Sequence, residues 1–380
     1  MESEYDIIIV GGGCAGLSLA MRLAKLGEDC PRVAIIERRD SYVHDRTWSY
    51  WATESAQLTN LAKSDWKKVL VGVAEKRVMV NCDNTPYQSI HSDAFYQSAL
   101  RKISKNKRIH LFLGESVQAI YKKNNLWQVN VQSESVSAPQ VIDTRPPTRE
   151  SGDEPILCQS FSGVKVMCSE NVFDDTTATL MDFAEATSGE IGFLYLLPFS
   201  PTCALIEATV FAKQAKSSGE LASMLDGLVK KSVGSVAYEI TYREHFVIPM
   251  GLSEHGQHAD ESYVTIGLES GGARASTGYV FQRIQRWAEV AASQIKEGKA
   301  VGGHSSDSWV IRKMDRIFLN VLARHPERGA EIFVKLFSMR DPGSVIRFMN
   351  DEPTLSDILR IMCALPPWIF IKELMRGIFR

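Results

Sequence analysis

A glycine-rich turn near the start of the chain most restricts what its N-terminal part can fold into. The apolar segment YDIIIV is followed by GGGCAG at residues 11–16, then by the helical pattern LSLAMRLAKLG and a second apolar segment, RVAIIE, that ends at Glu37. Two β-branched segments on either side of a helical one predict a β-α-β unit. Because Gly11, Gly13 and Gly16 form GxGxxG between the strand and the helix, the unit is typical of dinucleotide binding.

Each glycine of this motif has a physical role at such a turn. Gly11 permits a tight turn, Gly13 lets the backbone approach a pyrophosphate at the helix N-terminus, and Gly16 lets helix and strand pack closely. Glu37, 21 positions after Gly16, can bind ribose hydroxyls. A glycine-rich turn without a ligand is the alternative, but the complete strand-helix-strand arrangement favours the binding site.

A second glycine-rich loop favours FAD over NAD as the dinucleotide. The segment YVTIGL, at residues 263–268, has Gly267 near its end and precedes the loop ESGGARASTGY. The first motif lies at the N-terminus and a long sheet-rich stretch separates the two loops, which is typical of flavin enzymes. The second loop is then expected to lie against the riboflavin end of FAD.

The order of strand and helix patterns predicts an α/β fold with three parts. A FAD-binding Rossmann-type, glutathione-reductase-like domain is expected from residues 1–158 together with 251–300. Strand patterns dominate residues 159–250, apart from one helix near 217–232, and predict an inserted, sheet-rich substrate domain. Short helical patterns broken at HPER, DPGS, DEPT and LPP predict a helical cap over residues 301–380.

Two local signals predict the start of a helix and the turn of a hairpin. Ser92 is expected to cap a helix that runs through Lys102. The pair Asn124–Asn125 separates two strand-like segments, SVQAIYKK and LWQVNVQ, and predicts a hairpin turn between them.

Composition excludes several classes of protein. The 380 residues carry a net charge of -2 without any basic tract, so a nucleic-acid partner is not expected. The seven cysteines include no CxxC pair, which fits reduced thiols inside a cell and no zinc site. His255 and His258 form HxxH but lack a strong third ligand nearby, so we expect no metal.

The ends of the chain predict a cytoplasmic protein. The N-terminus lacks the charged region and small-residue cleavage site of a secretory signal. The longest apolar run, IMCALPPWIFI at residues 361–371, contains two prolines and is shorter than the roughly 20 residues of a membrane-spanning helix. We therefore expect the protein to touch a membrane at most, and not to cross it.

A single acid interrupts the apolar segment GFLYLLPFSPTCALIEATVF. With strand alternation, Leu205, Glu207, Thr209 and Phe211 share one face. A carboxyl among apolar neighbours is desolvated, which raises its pKa and keeps it protonated as an acid. A buried ion pair with Arg243 or Arg274 is the alternative, because buried charges are usually paired.

Several segments, in order along nearly the whole chain, resemble the lycopene cyclases, a family of bacterial flavoproteins of carotenoid synthesis. They read VGGGCAGLSLA, RTWSYW, VIDTRP, QSFSG, YLLPFSPTCALIEAT, STGY, MDRIFLNVL and RFMNDEPTLSDILRIM. The LIExT and STGY segments are much more specific than GxGxxG alone. This chain departs from the family pattern at Ala208, where relatives often have a second acid, at Ala275 and at Phe246, where a glycine is expected after Glu-x.

The resemblance implies a function and its residues. Glu207 matches the acid that the family is taken to use catalytically, and the cofactor site is implied to include Arg46, Gly267, Thr277 and Gly278 beside the first motif and Glu37. The implied reaction closes the acyclic ψ-ends of lycopene into β-ionone rings, giving γ-carotene and β-carotene without net redox. Reduced FAD and aromatic faces such as Tyr195, Trp48 or Tyr50 would stabilise the cation, and NADPH would keep the flavin reduced.

The implied substrate is dissolved in lipid, which favours peripheral attachment to the inner face of the cell membrane. In the C-terminal helix the basic residues recur every four positions at Lys372, Arg376 and Arg380, and the apolar side comprises Ile371, Leu374, Met375 and Ile378. A helix packed on the cap with its basic stripe in water is the alternative.

Two other functions share the same sequence features. A redox flavoprotein acting on an isoprenoid, either a reductase or an epoxidase, would have the same fold plan. A carotenoid-binding flavoprotein without turnover is the second alternative. The ring type, the number of cyclised ends and the oligomeric state are left open by the sequence.

Overall fold

The structure, a computed structural model, describes residues 3–52, 58–147, 154–183, 189–252 and 258–376. The strands are β1 (Ser3–Glu4), β2 (Ile7–Val10), β3 (Val33–Glu37), β4 (Thr47–Trp51), β5 (Ser64–Trp66), β6 (Lys68–Val73), β7 (Lys76–Asn81), β8 (Tyr87–His91), β9 (Ile109–Leu113), β10 (Ala119–Lys123), β11 (Leu126–Asn130), β12 (Ser135–Ala138), β13 (Gln140–Asp143), β14 (Leu157–Cys168), β15 (Thr177–Phe183), β16 (Ile191–Ser200), β17 (Cys203–Ala212), β18 (Tyr238–Met250) and β19 (Tyr263–Thr265). The helices are α1 (Cys14–Ala24), α2 (Ser92–Ile103), α3 (Ser218–Val233), α4 (Phe281–Lys296), α5 (Trp309–Arg324), α6 (Gly329–Phe337), α7 (Gly343–Met349), α8 (Leu355–Ala364) and α9 (Pro367–Arg376).

A parallel sheet in the order β19-β13-β2-β3-β9 forms the centre of the first domain. Helices α1, α2 and α4 cover one face, where Ile7, Ile9 and Ile35 join the same apolar core as Leu17 and Phe281. The antiparallel strands β10, β11 and β12 cover the other face. This three-layer arrangement confirms the predicted Rossmann-type domain, because both faces of a parallel sheet must be buried.

The hairpin and capping predictions had opposite outcomes. Asn124 and Asn125 both have positive φ angles, 52° and 63°, as a type I′ turn between β10 and β11 requires, so the hairpin is confirmed. The capping role of Ser92 is wrong, because α2 already begins at Ser92 and His91 is the N-cap. The Ser92 hydroxyl instead donates to the Asp45 carboxylate and accepts the Asp45 amide, which ties α2 to the segment before β4.

The second sheet has seven strands in the order β18-β14-β17-β16-β15-β6-β7. Two of them, β6 and β7, come from residues 68–81, so the segment predicted as the first domain also contributes to this sheet. One face packs against α3, which begins at the capping box of Ser217 and Glu220. The other face packs against the cap, defined here as α5 to α9.

The cap confirms the predicted series of short helices, and a buried ion pair fastens it to the rest of the protein. The Arg274 guanidinium, 1% exposed, donates to Asp315 of α5 at 2.6 Å and 3.2 Å. It also donates to Asp351, which follows α7, at 3.0 Å, and the Ser276 hydroxyl donates to Asp315 at 3.0 Å. The loop that carries STGY is therefore held by charges from two cap segments.

Candidate functional site

The candidate site lies on the cap-facing side of the seven-stranded sheet, where four neighbouring strands align one residue each. Glu207 of β17 is paired with Tyr195 of β16 on one side and with Gly163 of β14 on the other. Gly163 is also paired with Glu244 of β18. Paired residues of adjacent strands point to the same face, so Tyr195, Glu207 and Glu244 share a face and Gly163 leaves a gap between the two acids.

Glu207 and Glu244, termed here the carboxyl pair, meet over Gly163. A Cβ atom placed on Gly163 would lie 2.7 Å from Cγ of Glu207 and 3.4 Å from Cγ of Glu244. The two acids are in hydrogen-bonding contact, which raises the pKa of Glu207 and lowers that of Glu244. Glycine at this position is what allows two glutamates from non-adjacent strands to touch.

Glu207 is held as a neutral acid. Its side chain is only 7% exposed, and desolvation, then the charge and hydrogen bond of Glu244, raise its pKa well above the usual range. Its neighbours on the same face, Leu205 and Phe211, belong to the apolar core beneath the cap. The face predicted from strand alternation is therefore confirmed for these residues.

Glu244, which the sequence reasoning mentioned only as a motif position, is the partner of Glu207. Desolvation raises its pKa overall, although hydrogen bonds from Glu207, Tyr242 and the Thr47 backbone and the charge of Arg46 act in the opposite direction. The Tyr242 hydroxyl donates to Oε2 of Glu244 at 3.0 Å. The donors around the pair are thus arranged to keep the charge on Glu244 and the proton on Glu207.

The alternative ion pairs of Glu207 do not form. Arg274 is bound to Asp315 and Asp351. Arg243 is paired in register with Val164, whose side chain belongs to the core beneath α3, so it points to the opposite face of the sheet. Neither arginine is placed to neutralise Glu207.

Three tyrosines, of which Tyr87 is fully buried, connect Glu207 to the STGY loop. The hydroxyls of Tyr195 and Tyr87 lie 3.0 Å apart, and a hydrogen bond between Tyr87 and Tyr279 contributes to the pKa values of both. Burial raises the pKa of all three tyrosines well above the usual range, so they are neutral phenols. Of the aromatic residues suggested from the sequence, Tyr195 adjoins Glu207, whereas Trp48 and Tyr50 stack on Phe281 in the first domain.

His44, His91 and Asp93 come together beside the carboxyl pair, although nothing in their spacing predicted it. Their ligand atoms lie within 4.8 Å of one another. The His44 ring, however, stacks on His91 at 4.5 Å with a 16° angle between the planes, and on Tyr242 at 4.1 Å. One ion cannot lie in the planes of two stacked rings, so this geometry fits aromatic packing better than a metal centre. Burial lowers the pKa of His91 to about 4, so its imidazole is neutral.

The HxxH pair falls partly outside the described residues. His255 is not among them. His258 packs its ring against Trp127 and Tyr263 and accepts the Asp260 amide at 3.1 Å, which gives it a structural role in its loop.

The glycine motif forms the turn that its spacing predicts. Gly11 has φ of 98°, and a Cβ on Gly16 would lie 2.1 Å from the Gly11 carbonyl oxygen. Gly13 is the N-cap of α1, and a Cβ there would meet no atom within 4 Å. Gly11 and Gly16 are therefore needed for the turn itself, whereas Gly13 borders open space at a helix N-terminus, where an anion binds favourably.

Glu37 ends β3 beside this turn, as expected. Its carboxylate accepts the Gly12 amide at 2.8 Å and the backbone and side chain of Arg39 at 2.9 Å and 3.1 Å. Desolvation opposes these hydrogen bonds, but their net effect lowers the pKa of Glu37. The side chain is an ionised acceptor that also fixes the glycine turn.

The remaining proposed cofactor residues lie in two places. The Arg46 guanidinium stacks over the Phe246 ring at 4.7 Å, and its charge influences the pKa of both Cys14, at the start of α1, and Glu244. Gly267 follows β19 with φ of 144°, and Thr277 accepts the Tyr279 amide. Gly278 has φ of 70° and packs against Ile248 of β18. Arg46 and the STGY loop thus both contact β18, the strand of Glu244.

Comparison with known proteins identifies the family. The sequence model described as "Lycopene cyclase protein" matches residues 6–374. The chain belongs to the lycopene cyclase family. The lycopene beta-cyclase of Pantoea ananas is 24% identical over 97% of this chain and 96% of its own length, so the resemblance drawn from the sequence segments is confirmed.

Solved structures share the fold of this lycopene cyclase family member. A geranylgeranyl bacteriochlorophyll reductase-like protein from Thermoplasma acidophilum matches with a TM-score of 0.65, at 12% identity, over 99% of this chain and all of that chain. A probable FAD-dependent monooxygenase from Pseudomonas aeruginosa has a TM-score of 0.56 at 11% identity, over 87% of this chain and 99% of that chain. At these identities the likeness concerns the fold, which confirms the predicted architecture.

We predict that Glu207→Gln changes how stability depends on pH. The folded pKa of Glu207 is raised, so the unfolded chain loses this proton at lower pH than the folded protein does. The parent protein should therefore lose stability relative to the variant as the pH rises from about 4.3, the pKa of an unfolded Glu, toward the raised folded pKa. Urea unfolding midpoints of both proteins between pH 4.5 and 8 measure the difference. Equal pH dependence of the two proteins would show that folding does not raise the pKa of Glu207.

Proposed function

We propose that this protein closes the acyclic ends of lycopene into β-ionone rings, giving γ-carotene and β-carotene by acid catalysis. The observation that carries the proposal is the buried neutral carboxyl of Glu207, in the LIExT segment of a lycopene cyclase family member. The relative from Pantoea ananas is named a lycopene beta-cyclase, which supports the same substrate and product here.

The chemistry assigns a task to each group around Glu207. Its proton is transferred to the terminal alkene carbon, the neighbouring double bond attacks the resulting tertiary cation, and loss of a ring proton gives the β ring. Leu205 and Phe211 exclude water, which would otherwise capture the cation. The neutral ring of Tyr195, in register with Glu207, offers a π face near the positive charge.

FAD is the proposed cofactor, and the residues of the first motif fit it. Gly13 leaves open space at the N-terminus of α1 for a pyrophosphate, and Glu37 is an ionised acceptor beside it. Arg46, Gly267, Thr277 and Gly278 are proposed to contact the flavin half. When bound and reduced, FAD supplies electron density beside the cationic substrate, and NADPH is the proposed reductant.

The proposed reaction is an isomerisation, which separates it from a redox flavoprotein. A reductase or epoxidase oxidises one NADPH for each product molecule. The isomerase needs only enough NADPH to reduce its cofactor once. Product with the mass of lycopene but a different absorption spectrum, formed in excess over NADPH consumed, supports the isomerase and also excludes a binding protein without turnover.

We predict that Glu207→Gln folds, retains FAD and loses cyclisation by about 100-fold or more, because general acid catalysis contributes about 10² to 10⁴-fold. Chromatography of the products formed from lycopene by the reduced enzyme measures the rate. Glu239→Gln, an exposed position on the same strand as Glu244, is the matched control and should keep the parent rate. A Glu207→Gln rate above about a tenth of the parent rate would place the acid elsewhere.

We predict that Gly13→Val folds but binds FAD at least about tenfold more weakly, since its side chain fills the space proposed for the pyrophosphate. Flavin absorbance retained after dialysis measures binding. Gly227→Val is the control, because Gly227 lies in α3 and is also unobstructed. Full flavin retention by Gly13→Val would show that the cofactor lies elsewhere.

Peripheral membrane attachment is proposed through an apolar patch on α8 and α9. None of the helices in the described ranges has the length and apolar character needed to span a membrane. The apolar patch is defined here as the exposed apolar side chains of these two helices, Leu355, Leu359, Met362, Trp368, Ile371, Leu374 and Met375. It includes more residues than the sequence suggested, because three of the seven belong to α8. Of the predicted stripe, Ile378 and Arg380 lie outside the described residues.

The arrangement of α9 supports attachment by its exposed side. Glu373 is buried and pairs with Arg324 of α5 at 3.1 Å, so one side of α9 is fixed to the cap. Trp368, 82% exposed, lies on the free side, and aromatic and aliphatic residues of this kind insert at a membrane interface. The inner face of the cell membrane is the proposed location.

We predict that Leu359→Ser with Trp368→Ser lowers binding to anionic lipid vesicles several-fold, because both variants remove exposed apolar surface without touching the core. Vesicle flotation measures the bound fraction. Val290→Ser, which removes a similarly exposed apolar side chain from α4, is the control. Equal flotation of the double variant and the control would exclude this patch as the anchor.

A further inference from the structure

We propose that Glu244 is a second catalytic residue, which accepts the ring proton and passes it back to Glu207. The inference rests on the proposed cyclisation and assigns the base of that reaction. It is carried by the position of Glu244 in the sheet, which places its carboxyl against that of Glu207.

The contact of the two acids is built into the sheet. β14 lies between β17 and β18, and Gly163 is in register with both glutamates. Because Gly163 has no side chain, the two acids approach across a strand that would normally separate them. A Cβ at this position would lie only 2.7 Å from Cγ of Glu207. Any side chain larger than that of glycine would therefore push the two carboxyls apart.

The surroundings distinguish the two carboxyls. Tyr242 donates its hydroxyl to Oε2 of Glu244, and the Thr47 amide and Arg46 charge also favour the ionised form of Glu244. For Glu207, desolvation and the neighbouring carboxylate both favour the protonated form. When the pair holds a single proton, that proton is therefore on Glu207 and the negative charge is on Glu244.

A further observation indicates where the shared proton lies. Oε1 of Glu244 is buried and accepts no hydrogen bond from the other described residues. A buried acceptor without a donor is costly. A proton on Glu207 supplies that donor, because the two side chains are in hydrogen-bonding contact.

The positions of the two proton transfers match a pair of adjacent carboxyls. The alkene carbon that gains a proton and the ring carbon that loses one are both bonded to the same quaternary carbon of the ring. Two oxygens in contact can therefore serve both positions without movement of the product. A base at the far end of the ring would not touch Glu207, so a further group would be needed to return the proton.

The cycle balances without a reductant or an oxidant. The O–H bond of Glu207 breaks as a C–H bond forms at the terminal alkene carbon, and the next double bond forms the ring C–C bond. The C–H bond of the ring carbon then breaks, its electron pair becomes the ring double bond, and the proton goes to Glu244. Transfer of that proton from Glu244 to Glu207 through their contact restores the starting state.

The decisive experiment compares Glu244→Gln with Glu239→Gln in the reduced, FAD-loaded protein with lycopene. We predict that Glu244→Gln lowers β-ring formation by about 100-fold or more, while Glu239→Gln keeps the parent rate. In the residual product of Glu244→Gln we expect a larger fraction of isomeric rings, whose double bond arises by proton loss from another carbon. A merely structural role would lower the rate without changing the ring type.

Tyr242→Phe provides an independent measurement. Loss of the Tyr242 hydroxyl removes a hydrogen bond that lowers the pKa of Glu244, so the base should become ionised only at higher pH. The acid side of the rate profile should then move to higher pH, with the contributions of Glu207, Arg46 and the Thr47 amide unchanged. An unshifted profile contradicts the assignment.

The outcomes separate this inference from the proposed function. If the parent protein cyclises lycopene and Glu244→Gln does so at more than about a third of its rate with the same ring type, Glu244 is not the base and the cyclase function stands. If the parent protein forms no cyclic product, both proposals are wrong. If Glu244→Gln strongly reduces β-ring formation and also alters the ring type, the result supports Glu244 as the base.

Discussion

The pairing of β14 with β17 on one side and with β18 on the other is the constraint on which the candidate site depends. Side chains alternate along a strand, so a slip of one residue in either pairing would turn Glu207 or Glu244 to the α3 side of the sheet. The register is fixed by apolar burial on both faces, with Val164 and Ile206 packed under α3 and Leu205 under the cap. The same packing that stabilises the sheet therefore positions the acids.

Local patterns predicted the parts of the fold that depend on neighbouring residues. The β-α-β unit and the Asn124–Asn125 hairpin both arise from short-range geometry, and the structure has each of them. The predicted capping role of Ser92 was wrong because its hydroxyl binds Asp45, 47 positions away. A capping residue can be read from sequence only when no distant partner competes for its side chain.

The candidate site could be predicted in part, for a related reason. Glu207 was recognisable because a lone acid in an apolar strand is locally unusual, but Glu244 lies in a strand of mixed character and meets Glu207 only through sheet pairing. Relatives often carry a second acid at the position of Ala208, yet that position faces α3 in this sheet. The partner of Glu207 therefore comes from another strand, 37 positions further along the chain, and the order of strands in a sheet is not encoded in local periodicity.

The ion pairs of Arg274 assign a structural role to two of the segments near the C-terminus that resemble the family. Asp315 belongs to the MDRIFLNVL segment and Asp351 to RFMNDEPTLSDILRIM, and both neutralise Arg274 just before STGY. Removing one member of a buried ion pair costs about 3–5 kcal/mol, because the other charge stays buried. The C-terminal helices and the loop before α4 should consequently fold as one cooperative unit. These two segments would then contribute to the assembly of the protein, because their acids Asp315 and Asp351 neutralise the buried Arg274.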